Sequence, residues 1–378
     1  MQRRIEHAFV CALTIAGCAF AQQNRFSPTE IADYFSSSQG IEASLVPIVP
    51  VVPECPKIHR LYFPIIGNSG GVKNAWQKQD VSSNPQEITE TQIITSEVIL
   101  SVPTSEFPHP FPDPAGLDVV TINGKTYLVV TDSEVNETDL FAGKNVAFVD
   151  ATNGEVISTT TTTAFSNEPT DVAIDDKERL LFSDDDRRRI NTAEPSVSGE
   201  PLKLKGFFST QQFGSGDPEG ISSHNKTLYI ADGAGKALFI VIDGGDGEVE
   251  GPCFPGDDRV LTFSTADFGR DFEGVYATTH PENLNETRLY MVDRRNPSQI
   301  SVVRVNEEQT VATPELIIKL PDELQGTLLN LSGIALLPNG DIAIVDRGVD
   351  NDVDPAENDG WLFIIRLGQQ NIQEQGDS

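Results

Sequence analysis

The chain has 378 residues, with 57 acidic and 27 lysine or arginine side chains, which gives a formal net charge of −30 at pH 7. Such an acidic excess disfavours binding to nucleic acid or to an anionic membrane, and it favours cations or basic partners. Solubility is an equally simple explanation, because net charge bears on solubility and association rather than on fold.

The N-terminal segment has the features of a signal peptide. A basic start, an apolar stretch over residues 8–20 and the small-residue sequence Ala-Phe-Ala at 19–21 follow one another, as in secretory signals. The apolar stretch is too short to span a bilayer, and no later segment is long enough. We therefore predict a signal peptide over residues 1–21 and a secreted, extracellular protein. In an alternative interpretation, residues 15–18 (Ile-Ala-Gly-Cys) resemble a bacterial lipobox, which would make the protein a lipoprotein anchored at Cys18.

Cysteine usage agrees with export. Cys11 and Cys18 lie within the predicted signal peptide, which leaves Cys55 and Cys253 in the mature chain. In an oxidising compartment two remaining cysteines predict one disulfide bond, Cys55–Cys253. The alternative is two separate buried thiols.

The sequence contains four acceptor motifs for N-linked glycans, whose asparagines are Asn136, Asn225, Asn285 and Asn330. Such motifs are expected on surface loops of secreted glycoproteins. We predict glycosylation at the first three, and we expect the fourth to be buried and free of a glycan.

Before residue 92 the chain contains little regular pattern. Residues 22–56 form a proline-rich N-terminal lead, in which 45–56 are typical of an extended linker. Residues 57–66 predict a strand, and the stretch to residue 87 is polar and rich in glycine, asparagine and serine.

From residue 92 onward one unit occurs five times. Each copy opens with an acid or an amide, continues through a short apolar strand and a polar turn, and closes with an apolar run that ends at an aspartate. The opening residues are Asp113, Glu168, Asp217, Asp271 and Asn330, and the closing residues are Asp132, Asp184, Asp232, Asp293 and Asp346. A period near 50 residues built from short strands is typical of a radial array of small antiparallel sheets.

Each repeat supplies four strands except the fifth, which stops after three at residues 361–367. The extended run Gln92–Val102 can supply the missing outer strand and so close the ring between the two ends of the chain, which removes exposed sheet edges. We predict an all-β fold, a β-propeller of five or six four-stranded blades over residues 57–368, with a flexible tail over 369–378. A sixth blade would have to come from residues 57–91.

The repeats resemble NHL-type and regucalcin/gluconolactonase-type β-propellers. Residues 168–190 match the NHL repeat best, with Pro169, Val-Ala-Ile-Asp at 172–175 and Leu-Phe-Ser-Asp at 181–184. The Glu-Gly pairs at 219–220 and 273–274 look more like those of phytase-like esterase propellers. The resemblance covers about residues 92–368. Propellers host many unrelated activities, and these relatives usually have six blades.

The opening residues indicate where chemistry should be sought. In the propellers that the repeats resemble, the first strand is innermost, so the opening residues would surround one mouth of the central channel. Carboxylate and amide oxygens from several blades are the ligands that Ca²⁺ prefers, and clustered carboxylates require a counter-charge. The alternative is that opening acids cap turns. Glu219 and Glu273 stand two residues after an opening residue, and because glutamate is a poor turn capper, metal binding is favoured for these two. The predicted calcium ligands are Glu219, Glu273, Asp217, Asp271, Asp113, Glu168 and Asn330.

Three further features of the sequence bear on its chemistry. The closing aspartates occur in all five units, which predicts a structural role in the turn between second and third strands. The acidic loop after Asp346 contains Asp350, Asp352 and Asp354, which predict either a second cation site or a solvated run of charge. It lacks the glycine and final glutamate of an EF-hand. His109 precedes a repeat opening and is the candidate general base.

Two functions remain compatible with the sequence. The first, suggested by the resemblance, is a secreted calcium-assisted hydrolase that acts on phosphoesters, lactones or other esters at the channel mouth. The second is a non-catalytic extracellular scaffold that binds a protein, a glycan or a mineral surface. Carboxylates that converge within a few ångströms would favour the hydrolase, whereas a plugged channel with an apolar rim would favour the scaffold.

Overall fold

The computed structural model describes residues 59–61, 92–133, 143–233, 237–253, 256–264, 271–309, 311–324, 328, 330–349 and 358–368. All of them belong to one compact unit, Pro53–Ser378. They are all-β apart from three short 3-10 turns, Thr104–Glu106, Thr210–Phe213 and Asp322–Leu324. In this part of the chain no helix has the length and apolar character needed to span a bilayer. The predicted signal peptide, the loop at 67–87, the acidic stretch 350–354 and the tail lie outside the described residues.

Two strands precede the repeats: β1 (His59–Leu61) and β2 (Gln92–Pro103). Within each repeat, consecutive strands pair antiparallel. The strands of the five repeats, in order, are β3 (Pro114–Ile122), β4 (Lys125–Asp132), β5 (Val146–Asp150), β6 (Val156–Thr160), β7 (Pro169–Ile174), β8 (Leu180–Asp184), β9 (Arg189–Ala193), β10 (Leu204–Ser209), β11 (Pro218–His224), β12 (Thr227–Asp232), β13 (Ala237–Ile242), β14 (Arg259–Ser264), β15 (Phe272–Thr279), β16 (Thr287–Asp293), β17 (Gln299–Val305), β18 (Ala312–Lys319), β19 (Leu331–Leu336), β20 (Ile342–Asp346) and β21 (Trp361–Leu367).

The N-terminal strand β2 completes the last sheet, as the sequence predicts. Ser96–Pro103 pair antiparallel with β21, whereas the first residues, Gln92–Thr95, pair parallel with β18 of the preceding repeat. The fourth and fifth sheets are thereby joined through β2. Strand β1 pairs parallel with β14 at the outer edge of the third sheet. Both additions cover backbone donors and acceptors that an edge strand would otherwise expose.

The hydrophobic core of the described residues is divided into five clusters. Four of them lie between two sheets that follow one another in the chain, and the fifth lies between the first sheet and the last. Phe148 and Phe182, for example, belong to the cluster between the first and second sheets. Leu128 and Val345 belong to the cluster between the first sheet and the last. The inner strands contact each other in the cyclic order β3, β7, β11, β15, β19 and again β3. This arrangement is consistent with a β-propeller.

The inner strands approach one another closely at one level. In each of them the register shifts near the third residue, and in four of them that residue is a glycine. A Cβ added at Gly220 or Gly274 would collide with the backbone of the next inner strand. Four glycines therefore allow neighbouring backbones to pack without intervening side chains; they are Gly116, Gly220, Gly274 and Gly333.

The second repeat has Asp171 at this position. Its carboxylate accepts the backbone N–H groups of Leu117 at 2.9 Å, Val172 at 2.8 Å and Ile221 at 2.8 Å, and so connects three inner strands. Burial raises the pKa of Asp171 well above its usual value, although these N–H groups oppose the shift. Asp118 accepts the N–H group of Ile174 in a similar way, and burial raises the pKa of Asp118 to about 7. Buried carboxyl groups thus tie the inner strands together.

Candidate functional site

The closing aspartates have the structural role that the sequence predicts, and they also hold the opening residues. Asp132 accepts the N–H group of Asp113 at 3.0 Å, and Asp346 accepts that of Asn330 at 3.0 Å. Asp346 also accepts the N–H group of Gly348 at 2.9 Å, within the turn to the third strand. Both carboxylates therefore fix the end of a second strand to the start of a first strand, and Asp346 also holds the turn.

The residue directly after each closing aspartate stands beside the opening residue; we call this the post-aspartate position. In four repeats its N–H group donates to the carbonyl oxygen of the opening residue at 2.9–3.2 Å. Its side chain consequently lies at the same mouth of the inner ring. The residues at this position are Ser133, Asp185, Gly233, Arg294 and Arg347.

Three carboxyl groups, which we call the acidic triad, converge between the second and third repeats. Oxygens of Asp185, Asp217 and Glu219 all lie within 4.8 Å of one another, and the three side chains are half-buried. In the described part of the chain no ion pair involves Asp185 or Glu219. Burial raises the pKa of Asp185 to about 6, and the charge of Asp217 adds to the shift. Burial raises the pKa of Glu219 well above its usual value, with further contributions from Glu273 and Asp185.

Gly233, the post-aspartate residue of the third repeat, leaves space beside the acidic triad. A Cβ at this position would lie 2.9 Å from Asp217 Oδ2 and 3.2 Å from Glu219 Cγ. Any larger residue would therefore displace the two carboxyl groups. The absence of a side chain preserves their convergence.

The acidic triad suits a hard divalent cation. Ca²⁺ binds carboxylate oxygens at about 2.3–2.6 Å, so two ligands of one ion can be up to about 5 Å apart, which agrees with the 4.8 Å limit here. Three carboxylates supply fewer than the six to eight oxygens of a calcium shell, and water would complete it. A bound cation would also supply the counter-charge that the raised pKa values of Asp185 and Glu219 call for.

On the other side of the mouth the carboxylates are neutralised by arginine. Arg347, whose side chain is 12% exposed, forms two hydrogen bonds with Asp113, from Nε and from Nη2, each at 2.6 Å. Its Nη1 lies 3.7 Å from Glu273 Oε2. Although burial opposes the charge, Asp113 and Glu273 hold the pKa of Arg347 above its usual value. Such a two-pronged ion pair is strong and directional.

Two further arginines belong to this side. Arg294 and Arg295 donate from Nε to the same oxygen of Asp271, at 2.9 and 2.8 Å. Arg294 Nε also lies 3.2 Å from Glu273 Oε1. Burial raises the pKa of Glu273 to about 7, although Arg347 and Arg294 lower it. We call the set Asp113, Asp271, Glu273, Arg294, Arg295 and Arg347 the arginine cluster.

Five of the seven predicted calcium ligands therefore divide into two groups. Asp217 and Glu219 join the acidic triad, whereas Asp113, Asp271 and Glu273 are paired with guanidinium groups. Among the described residues, Glu168 and Asn330 are not part of the triad. Asn330 is buried, and its side-chain oxygen has no hydrogen-bond partner in this part of the chain.

The other predicted sites are dispersed or lie outside the described residues. His109 is exposed in the loop before β3. Asn225 and Asn285 are exposed, as a glycan would require, and Asn136 is outside the described residues. Cys253 is buried, whereas Cys55 is outside, so the disulfide stays a prediction. Asp350, Asp352 and Asp354 are likewise outside.

Sequence reasoning missed the post-aspartate residues Asp185, Arg294 and Arg347. A signal was present, because these residues occupy one fixed position in the repeat while their chemical type changes from copy to copy. A repeated position that varies in this way belongs to a site rather than to the repeat fold.

Similar solved structures are β-propeller-type proteins. The luciferin-regenerating enzyme is 11% identical, with 72% of this chain and 96% of that chain covered and a TM-score of 0.41. The aldose sugar dehydrogenase from Streptomyces coelicolor is 14% identical, with 72% and 98% covered and a TM-score of 0.39. The virginiamycin B lyase from Staphylococcus aureus is 13% identical, with 65% and 66% covered and a TM-score of 0.36.

No protein-family model matches the chain, and no curated protein is similar to it in sequence. At 11–14% identity the structural similarities say nothing about what this chain binds or converts.

Proposed function

We propose that the chain is a five-bladed β-propeller that binds Ca²⁺ at the acidic triad and hydrolyses phosphoesters, lactones or related esters at the channel mouth. Five blades are supported by the five core clusters and by the cyclic contacts of the five inner strands. Export through the predicted signal peptide is part of the same proposal.

The convergence of Asp185, Asp217 and Glu219 within 4.8 Å carries the proposal. Like charges at this separation cannot all ionise near neutral pH without compensation, and a divalent cation supplies that compensation directly. Gly233 preserves the space that the three carboxyl groups share. The charge of Glu273 in the next repeat contributes to the raised pKa of Glu219. Glu273 is therefore a second titratable group beside the cation site.

When bound, Ca²⁺ would polarise the ester or phosphoryl oxygen and lower the pKa of a coordinated water. The protein's own contribution is a group that can exchange a proton. Glu273, with a pKa of about 7, is suited to accept and release a proton near neutral pH. Arg347 and Arg294 flank both oxygens of this carboxylate and hold it in place. We therefore assign Glu273 the general-base role for which the sequence offered only His109.

The non-catalytic scaffold stays the second candidate, with calcium in a structural role. Asp171 and the close packing of the inner strands restrict the centre of the ring, which favours a sealed channel. Large exposed apolar side chains are distributed over several sheets in the described part of the chain, for example Ile157, Phe207 and Val311. They form no single rim patch there, so the scaffold has less support than the hydrolase.

The first test is calcium binding by titration calorimetry on the mature chain, followed by a screen of aryl esters, lactones and phosphoesters. Asp185→Asn/Glu219→Gln should abolish calcium binding, because both substitutions replace charged ligands with neutral ones of equal size. Glu155→Gln, in the exposed turn between β5 and β6, is the matched control and should bind as the native chain does.

Calcium binding that survives in the double variant would place the ion elsewhere and contradict the proposed site. A native chain that binds no calcium would overturn the hydrolase and leave the scaffold.

A further inference from the structure

We propose that Arg294 and Arg295 form an oxyanion-binding site beside the acidic triad, which selects substrates that carry a phosphate, sulfate or carboxylate group. This inference rests on the proposed function, because it names the substrate class of the same mouth. It also makes a prediction about anion binding that does not depend on turnover.

The two arginines offer more donors than the described residues engage. Both bind Asp271 through Nε, and each guanidinium has five N–H donors in a planar fork. Their side chains are 38% and 55% exposed, whereas that of Arg347 is 12% exposed. One guanidinium would suffice to neutralise Asp271. The outer edges of two adjacent guanidinium groups suit the planar, two-pronged geometry of an oxyanion.

The charges of the arginine cluster are arranged with positive groups outermost. Three guanidinium groups face three carboxyl groups, and the side chains of Asp113, Asp271 and Glu273 are buried, whereas those of Arg294 and Arg295 are partly exposed. An approaching anion therefore meets guanidinium groups before it meets carboxylates.

A second arginine-rich turn follows the closing aspartate of the second repeat. Arg187 and Arg188 are exposed in the turn between β8 and β9, and Arg189 is the first residue of β9. Arg189 lies over the ring of Phe207, 5.0 Å from its centroid. This turn and the Arg294–Arg295 turn follow the closing aspartates of the second and fourth repeats. They flank the third repeat, which supplies Asp217 and Glu219 of the acidic triad and whose own post-aspartate residue is Gly233.

The cation site and the arginines would thus act on different parts of one ligand. Glu219 and Glu273 belong to adjacent repeats, and the charge of Glu273 contributes to the raised pKa of Glu219. An ester group at the cation site would therefore lie beside the arginine cluster. With a neutral ester the guanidinium groups would stay hydrated, whereas an anionic ester would bind both the cation site and the two arginines.

The experiment measures the affinity for inorganic phosphate, sulfate and acetate by calorimetry in metal-free buffer. It then compares kcat/KM for an anionic aryl ester and a neutral aryl ester in the presence of calcium. Arg295→Gln removes the more exposed guanidinium and leaves Arg294 on Asp271, so the fold is kept. Arg295→Lys retains the positive charge but lacks the planar set of guanidinium N–H donors. Arg304→Gln is the control, because Arg304 on β17 pairs with Glu286, directly before β16, rather than at the mouth.

We expect the Kd for at least one of these oxyanions to rise about tenfold in Arg295→Gln and less in Arg295→Lys, with no change in Arg304→Gln. The anion that binds best identifies the substrate group. For the anionic ester kcat/KM should fall by a similar factor in Arg295→Gln, while the neutral ester is converted as before.

Equal affinity in native chain and Arg295→Gln, or no oxyanion binding by the native chain, would overturn the inference even if calcium binds and neutral esters are hydrolysed. Oxyanion binding that depends on Arg295 in a chain that neither binds calcium nor hydrolyses esters would instead sustain the anion site and refute the proposed hydrolase.

Discussion

The acidic triad and the arginine cluster occupy equivalent positions in successive repeats and solve the same electrostatic problem differently. Both contain carboxyl groups from the start of an inner strand. In the arginine cluster Arg347, Arg294 and Arg295 supply the counter-charge. In the acidic triad the post-aspartate residue is itself an acid, Asp185, which adds to the charge.

The comparison teaches that the repeat fold determines where the carboxyl groups of the mouth lie. The residue at the neighbouring post-aspartate position determines whether a carboxyl group is paired with a guanidinium or grouped with another acid. The charge of a carboxylate that is paired with a guanidinium is compensated within the protein. Asp185 and Glu219, which form no ion pair among the described residues, are neutralised by protonation or by a bound cation. Four predictions test this contrast.

The largest effect is expected from Arg347→Met, which would turn the arginine cluster into a second acidic group. Asp113 and Glu273 would lose a buried partner, and removal of one member of a buried ion pair costs about 3–5 kcal/mol. Urea denaturation in metal-free buffer measures the loss, and added calcium should restore part of it. Arg304→Met, which removes a surface pair, should cost less than about 1 kcal/mol. Equal losses in the two variants would contradict the contrast.

The next effect concerns pH in the metal-free chain. The folded-state pKa of Asp185 is about 6 and that of Glu219 is raised further above its usual value, so the folded state binds more protons than the unfolded state between about pH 4 and the folded pKa. The free energy of unfolding should therefore fall as pH rises through this window. For Asp185 alone we expect about 1–2 kcal/mol, after allowance for its partial exposure.

Thermal melts from pH 4.5 to pH 8, with chelator and with calcium, measure this dependence. Asp118 and Asp171, whose pKa values are also raised, contribute a pH dependence of the same sign in both series. The difference between the melts with chelator and those with calcium therefore reports on the carboxyl groups of the mouth. A difference that does not grow with pH would count against a cation at the triad.

A smaller effect is expected from Asp185→Ser, which gives the second repeat the post-aspartate residue of the first. The metal-free chain should gain roughly 0.5–1 kcal/mol because like-charge repulsion is relieved, while calcium affinity should fall about tenfold because one charged ligand is lost. Urea denaturation of this variant tests the expected gain in stability, and calorimetry tests the expected loss of calcium affinity. A variant that is less stable without metal would contradict the account of the triad.

The smallest effect is expected from Gly233→Ala. The added methyl group would press on Asp217 and Glu219, so calcium affinity should fall by a factor of about three to ten, which corresponds to roughly 1 kcal/mol. Gly206→Ala, where no neighbouring atom lies within 4 Å, is the matched control, because neither Gly206 nor Gly233 has a positive φ. Unchanged affinity in Gly233→Ala would show that the triad tolerates displacement.

Much of the fold could be predicted from the sequence because its determinants are local and repeated. The alternation of short apolar strands with polar turns predicts the sheets, and the incomplete fifth repeat correctly predicts that β2 supplies the last strand. The opening residues were also identified, because each begins a strand and follows the same turn chemistry. The strands and the opening residues can thus both be predicted from the local repeat pattern.

The pairing of charges at the mouth could not be predicted in the same way. Asp113 and Arg347 are 234 residues apart in the chain, and nothing in either local sequence indicates the other. Asp185 was overlooked because it follows a structural aspartate and resembles an ordinary turn acid. Asp171 occupies a position where the other repeats have glycine, and its role becomes visible only when three inner strands are brought together.

The position of β2 in the last sheet has a consequence for how the chain reaches its fold. Residues 92–103 emerge from the ribosome before any strand of the five repeats, but they pair with residues 316–319 and 361–367. At a synthesis rate of about 5–20 residues per second, this strand waits on the order of 10–50 s for its partners. During that interval a β-rich segment with unpaired edges is exposed to other chains. Ring closure is therefore a late event, and the yield of folded protein should depend on what protects this strand until the C-terminal repeat arrives.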